Sequence, residues 1–161
     1  MRTCTRIGLI FAATAVLLAG RTVVVAAGRY RFGVNETTSL PNWAFVVDLK
    51  NRSPRRGELV RFTAPDNPYY PRGAQFVKHV WGVPGDRVER RGREYFVDGR
   101  DVGYAKLFSQ TGRSASLGPT GVIPPGRYYV GTASKDGFDS RYADIGWISA
   151  DRIVGVARPV L

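Results

Sequence analysis

Lys78 is the residue whose sequence context points most directly to chemistry. It lies in the apolar run 75–81, where strand alternation places it on the same face as Phe76 and Val80. A lysine among apolar neighbours loses hydration, which lowers its pKa and can leave a neutral amine able to take a proton from a serine hydroxyl. The pattern is also typical of a structural lysine that extends its amine to solvent at a sheet rim. Taken alone, the pattern favours this structural lysine.

The amino-acid counts leave few other groups for catalysis. The 161 residues include one cysteine, Cys4, and one histidine, His79, so neither an internal disulfide nor a metal site of Cys and His ligands can form. A thiol enzyme would need Cys4, in an apolar leader, and a Ser-His-Asp triad would need His79. Alternation turns His79 away from Lys78, which indicates a surface or structural role. We expect no cofactor and no metal.

Basic residues that can act as bases are equally scarce. Of 24 basic residues, 20 are arginines, which stay protonated, and only four are lysines. The lysines are Lys50, Lys78, Lys106 and Lys135.

Short strands are the elements that must position these residues. After residue 28, no segment keeps an apolar period of 3.6 residues for three turns, whereas short runs rich in Val, Tyr, Phe and Ile alternate with Gly and Pro turns. Asp98-Gly99 is a strong hairpin signal, and the Ser-, Gly- and Pro-rich stretch 107–126 is predicted to be a long loop or flap. We therefore predict a mainly β fold, an antiparallel sheet domain behind one N-terminal helix. The predicted strands are residues 45–49, 59–63, 75–81, 95–97, 102–104, 128–131 and 153–156.

The first 28 residues have the character of a membrane anchor or an export signal. Arg2 and Arg6 precede an uncharged, mostly apolar run, and small and β-branched residues continue it after Arg21. An uncleaved anchor is favoured over a signal cleaved after residues 25–27, and a buried soluble helix is the remaining alternative. The N-terminal arginines favour a cytoplasmic N-terminus, so the rest of the chain is expected to be exported. The predicted division is a membrane or signal segment at 1–28 and a β-rich domain at 29–161.

Positive charge is the chain's main global property, with a formal net charge of +11. Nucleic acid is the usual partner of clustered arginines, but anionic lipid is a simpler partner for an exported domain held at a membrane, and a solvated basic surface fits equally well. We expect membrane lipid rather than nucleic acid. The clusters are Arg52, Arg55, Arg56 and Arg61, and then Arg87, Arg90, Arg91 and Arg93.

Four motifs follow one another through the predicted domain. Residues 35–41 read Asn-Glu-Thr-Thr-Ser-Leu-Pro, 57–62 read Gly-Glu-Leu-Val-Arg-Phe, 76–86 read Phe-Val-Lys-His-Val-Trp-Gly-Val-Pro-Gly-Asp, and 131–141 end in Asp-Ser-Arg. They resemble, in order, the serine box, the following strand, the lysine box and the last box of bacterial signal peptidase I. The short chain and the form of the last box most resemble the conjugative-transfer, TraF-type branch, which processes pilin precursors.

The resemblance implies a Ser/Lys dyad on a signal-peptidase type of β fold. Ser39 would be the nucleophile and Lys78 the general base. The backbone N–H of Ser39 and the hydroxyl of Thr37 would form the oxyanion hole. Asp139 and Arg141 would be charged supports that hold the last motif against the catalytic strand, and a simple ion-paired turn is the alternative for them.

The last motif departs from the family pattern in two places. Gly137 stands where the family has a serine that helps to orient the lysine, and Thr132-Ala133 stands where it has Asp-Asn. Ser134 and Ser140 are candidates to supply the missing hydroxyl.

The implied activity is acyl transfer on an exported, pilin-like precursor, cut after a small residue. The extended substrate is expected to add along a sheet edge, and water or a substrate amine would release the acyl-enzyme. The expected location is the inner membrane with the domain on the periplasmic side, or the periplasm if the leader is cleaved.

Two other classes of function compete with the peptidase. One is a non-catalytic, membrane-tethered basic β domain that binds lipid, nucleic acid or a secretion-complex partner; the departures at Gly137 and Thr132 keep this minor alternative open. The other is a self-cleaving Ser/Lys repressor-type protease, against which the apolar N-terminus argues. A serine-directed β-lactam or penem-type acylator should label only a chain with an activated serine.

Overall fold

The computed structural model describes residues 28–35 and 39–160. Within these residues, strands are the main regular elements, joined by turns and one 3-10 turn, Ala150–Arg152. The mainly antiparallel β class predicted from the sequence is confirmed. The strands are β1 Tyr30–Val34, β2 Ala44–Asp48, β3 Leu59–Thr63, β4 Gln75–Gly82, β5 Arg87–Arg91, β6 Glu94–Val97, β7 Arg100–Tyr104, β8 Gly121–Val122, β9 Arg127–Gly131, β10 Ile148–Ser149 and β11 Ile153–Pro159.

The larger sheet has the order β1-β2-β11-β3-β4-β9-β10, and its described strand pairs are antiparallel. Strand alternation divides its apolar residues between two faces. Val60 and Phe62 of β3 pack into one buried cluster. Leu59, whose side chain points to the opposite face, packs into another cluster with Phe45 and Val47 of β2. Because both faces are covered in this way, a side chain in the middle of the sheet is removed from water.

The smaller sheet has the order β7-β6-β5-β8. Its β6–β7 hairpin turns at Asp98 and Gly99, whose φ angles are +47° and +75°, as a two-residue type I′ turn requires. The hairpin predicted at these residues is confirmed. Arg56 fastens the turn to the larger sheet, since its guanidinium pairs with Asp98 at 2.8 Å and with Asp86 at 2.5 Å.

Some of the clustered arginines therefore have structural partners. Besides Arg56, Arg93 donates hydrogen bonds to the backbone carbonyls of Ala105, Lys106 and Ala115. These contacts fix the beginning of segment 107–126. The segment contains only isolated bridges and the short β8, in agreement with the predicted long loop.

The N-terminal helix and membrane or signal segment predicted at residues 1–28 lie, except for Gly28, outside the described residues, and so does Thr37. Among residues 28–35 and 39–160, no helix has the length and apolar character needed to cross a membrane.

Candidate active site

Lys78 lies in the middle of the larger sheet with only 5% of its surface exposed. Its partner on β3 is Val60, and β9 covers the other side of β4. Burial lowers the pKa of Lys78 from 10.5 to about 8; the charge of Asp139 opposes this change and that of Arg141 adds to it. The interpretation of Lys78 as a solvated lysine at a sheet rim is therefore wrong. Its amine is desolvated, as proton abstraction requires.

Ser39 lies in the turn between β1 and β2, and this turn is fastened on both sides of the serine. The side-chain amide of Asn35 donates to the carbonyls of Leu40, at 3.2 Å, and Asn42, at 2.9 Å. The N–H of Asn35 donates to the carbonyl of Trp43 at 2.8 Å. Leu40 is buried next to the strand that follows. Asn is a typical residue for closing a turn, so the residue type at position 35 was the available signal for this role.

An open cleft of about 1080 Å³ contains both residues in its wall. The structure thus brings Ser39 and Lys78 from separate motifs to one site, together with β1 residues Gly33 and Val34. Such a cleft is large enough for several residues of an extended peptide.

Aromatic side chains form one side of this cleft, and the sequence analysis did not find them. Tyr70 lies between Phe76, with ring centres 4.8 Å apart, and Phe138, at 5.7 Å. Tyr69 meets Phe138 edge to face at 5.3 Å. The side chain of Asn67 accepts hydrogen bonds from the backbone N–H groups of both tyrosines, which fixes their loop. The turn-forming Asn-Pro before the two tyrosines was the available signal.

Asp139 and Arg141 form a buried ion pair, with 0% and 2% of their surfaces exposed. The guanidinium binds both carboxylate oxygens, each at 2.8 Å. It also donates to the carbonyls of Tyr104, Ser134 and Gly137, so it joins the last motif to β7 of the smaller sheet. The two charges of the pair act on the pKa of Lys78 in opposite directions, and Asp139 has the larger effect of the two.

The two serines considered as replacements for a hydroxyl at position 137 are bonded to the backbone. Ser140 accepts a hydrogen bond from the N–H of Val130 at 2.9 Å, in the interior. Ser134 accepts one from the N–H of Asp136 at 3.3 Å. His79 lies on the other face of β4, with Nδ1 3.3 Å from the carbonyl oxygen of Gly57, and it does not line the cleft.

Residues 4–161 match the family described as signal peptidase, peptidase S26. The chain belongs to this family. The resemblance inferred from the four motifs is confirmed.

The relatives of this S26 family member include two conjugal transfer proteins TraF. The protein from Agrobacterium fabrum is 31% identical over 90% of this chain and 89% of its own length. The protein from Agrobacterium tumefaciens strain 15955 is 27% identical over 94% and 93%, respectively. Among solved structures, a signal peptidase I from Enterococcus faecalis V583 is 24% identical, with a TM-score of 0.44 over 66% of this chain and 97% of that one.

Proposed function

We propose that this protein is a membrane-associated serine endopeptidase that removes leader peptides from exported precursors by means of a Ser39/Lys78 dyad. One observation carries the proposal: in a member of the signal peptidase family, a desolvated lysine and a serine in a closed turn line the same cleft.

The lowered pKa makes Lys78 usable as a base near neutral pH. With a pKa of about 8, about one molecule in ten carries a neutral amine at pH 7. A lysine with the ordinary value of 10.5 would be neutral in about one molecule in 3,000. Burial therefore supplies a gain of more than two orders of magnitude in the reactive form.

In the proposed reaction, the neutral amine of Lys78 takes the hydroxyl proton of Ser39 while the serine oxygen bonds to the scissile carbonyl carbon. The carbonyl oxygen becomes an oxyanion, which the N–H of Ser39 and the hydroxyl of Thr37 are proposed to stabilise. The ammonium of Lys78 then returns its proton to the leaving nitrogen as the C–N bond breaks. The product is an acyl-enzyme and a free amine.

Deacylation repeats these steps with a new nucleophile. Lys78 takes a proton from water, the resulting oxygen attacks the ester, and Ser39 recovers its proton. A substrate amine in place of water would give a ligated or cyclic product by the same sequence of proton transfers.

The proposed substrate is an exported, pilin-like precursor of a conjugative transfer system. The relatives named for conjugal transfer support this class. Among the described strands, β1 is an edge strand of the larger sheet, and its Gly33 and Val34 line the cleft. A peptide that pairs with β1 as an added strand would therefore pass Ser39. We propose that residues 1–28 anchor the protein in the inner membrane and that the domain lies on the periplasmic side. The clustered arginines would then face anionic lipid.

The test is co-expression of the full chain with a candidate pilin precursor, followed by mass spectrometry of the product's N-terminus. Processing should be abolished by Ser39→Ala, which removes the nucleophile, and by Lys78→Ala, which removes the base. Lys78→Arg should be equally inactive, because arginine keeps its proton. The exposed residues Ser53 and Lys50 provide matched controls, and Ser53→Ala and Lys50→Arg should process normally. Retained processing in Ser39→Ala would refute the dyad.

Labelling with a penem-type acylator separates the peptidase from a non-catalytic basic domain. The purified full chain should gain the mass of one acyl group, and Ser39→Ala should gain none. A wild-type chain that stays unmodified over a pH range of 7 to 9 would favour the binding domain.

A further inference from the structure

Thr132 has a buried hydroxyl that no described residue hydrogen-bonds. Thr132 directly follows β9, only 1% of its surface is exposed, and Oγ1 has no hydrogen-bond partner among the described residues. A buried hydroxyl normally forms a hydrogen bond, because leaving one unpaired costs free energy. This group therefore requires a functional or structural explanation.

The register between β4 and β9 relates Thr132 to Lys78. Val80 pairs with Val130, and His79 pairs with Gly131. β9 ends at Gly131, and extending the same antiparallel register by one residue would set Thr132 opposite Lys78. Residues opposite each other point to the same face, with Cβ atoms about 5 Å apart. The hydroxyl and the lysine side chain consequently share one buried face of the sheet.

Gly137 explains why there is room for this hydroxyl. A Cβ atom at position 137 would collide with Oγ1 of Thr132 and would meet Asp139 Oδ2 at 3.0 Å and Arg141 Nη2 at 3.1 Å. Gly137 does not adopt a positive φ angle, so its backbone does not demand glycine. Packing against Thr132 is what disfavours a side chain here. The glycine at position 137 therefore accommodates the hydroxyl of the threonine at position 132.

We propose that Thr132 is the positioning residue for Lys78, with Gly137 providing the space for its hydroxyl. During catalysis Oγ1 would accept an N–H of the amine, a hydrogen bond that the structure itself does not contain, and would thereby direct the amine's lone pair towards the cleft that contains Ser39. This inference rests on the proposed function, because it assigns to Lys78 the role of base. In the family pattern the lysine-orienting hydroxyl belongs to a serine at position 137. In this protein it would belong to Thr132, directly after β9.

Thr132→Val and Thr132→Ser form the deciding pair of variants. Valine keeps the shape of threonine without the hydroxyl, and serine keeps the hydroxyl. The rate of acylation by a penem is measured on the full chain from pH 6 to pH 10, alongside thermal unfolding. We expect Thr132→Val to lower the plateau rate about tenfold, the value of one hydrogen bond, and to move the pH midpoint downwards. Thr132→Ser should stay within about threefold of wild type.

The downward shift separates positioning from a structural role. Removing a hydroxyl that solvates the ammonium disfavours the charged lysine, so its pKa falls while the rate also falls. A purely structural defect would lower the unfolding temperature and leave the midpoint in place. Thr132→Val with the wild-type rate and midpoint would overturn the proposal.

Moving the hydroxyl back to position 137 gives an independent test. In Thr132→Ala the obstructing Oγ1 is gone, so a serine at 137 needs only a shift of a few tenths of an ångström at Asp139 and Arg141. We expect Thr132→Ala/Gly137→Ser to be acylated faster than Thr132→Ala alone. A folded double variant no faster than Thr132→Ala counts against the proposal.

The Ser39→Ala chain distinguishes failure of this inference from failure of the proposed function. If Ser39→Ala is acylated like wild type, the dyad itself is wrong. If Ser39→Ala is inert and Thr132→Val behaves as wild type, only the role of Thr132 is wrong.

Discussion

Replacing Lys78 with methionine should inactivate the protein and stabilise it, because the burial that makes the lysine a base also costs folding free energy. The ammonium is favoured in the unfolded chain, where the pKa is near 10.5, and disfavoured in the fold, where it is about 8. At pH 7 this difference corresponds to about 3 kcal/mol of lost stability. Methionine has a similar length and no charge, so Lys78→Met should recover about that amount.

The pH dependence of this gain follows from proton binding. Between pH 8 and 10.5 the unfolded chain binds more protons at this site than the folded chain, so wild-type stability rises with pH through this window. Below about pH 8 the cost is complete. The advantage of Lys78→Met should therefore be about 3 kcal/mol at pH 7, about 2 at pH 9 and about 1 at pH 10.

Urea denaturation of the full chain at these three pH values measures the difference directly. Lys50→Met, at an exposed position, serves as the control and should change stability little at any of them. All other residues are the same in both chains, so position 78 is the only difference between them. A stability difference that is constant from pH 7 to 10, or a variant less stable than wild type at pH 7, would refute the assignment of a desolvated lysine.

Further predictions concern activity, the buried ion pair and the hairpin turn. The acylation rate of wild type should rise with pH around a midpoint near 8, since the reactive amine is the deprotonated form, and a rate that is flat from pH 6 to 10 would contradict this. Arg141→Met leaves Asp139 buried and unpaired, so denaturation should reveal a loss of about 3–5 kcal/mol. Gly99→Ala, at a φ of +75° and away from the cleft, should cost about 1 kcal/mol or more and leave acylation by the penem unchanged in the folded chain.

The strands with clear apolar alternation could be predicted from the sequence, and β5 could not. β3 and β4 begin at the predicted residues because local side-chain alternation directly reflects which face is buried. β5, Arg-Val-Glu-Arg-Arg, buries only Val88 and exposes its four charged residues. It is a strand because β6 and β8 pair with it on either side, and no local pattern reports that pairing.

The residues of the candidate site were likewise only partly predictable from the sequence. The four motifs were sufficient to identify the family and to single out Ser39 and Lys78. The aromatic wall of Tyr69 and Tyr70 was not found, because its members come from a loop whose course depends on contacts with β4 and the last motif.

The sequence by itself determined the class of the fold, the family and the short set of residues able to do chemistry, since these depend on residue type and local spacing. Only the tertiary structure decided that Lys78 is desolvated, because the strands that pair with β4 on either side come from residues 59–63 and 127–131. It also decided that Gly137 leaves space for Thr132. Both outcomes are matters of packing between segments distant in the chain, where the free energy of a buried polar group is set by what lies across the sheet rather than by its neighbours in sequence.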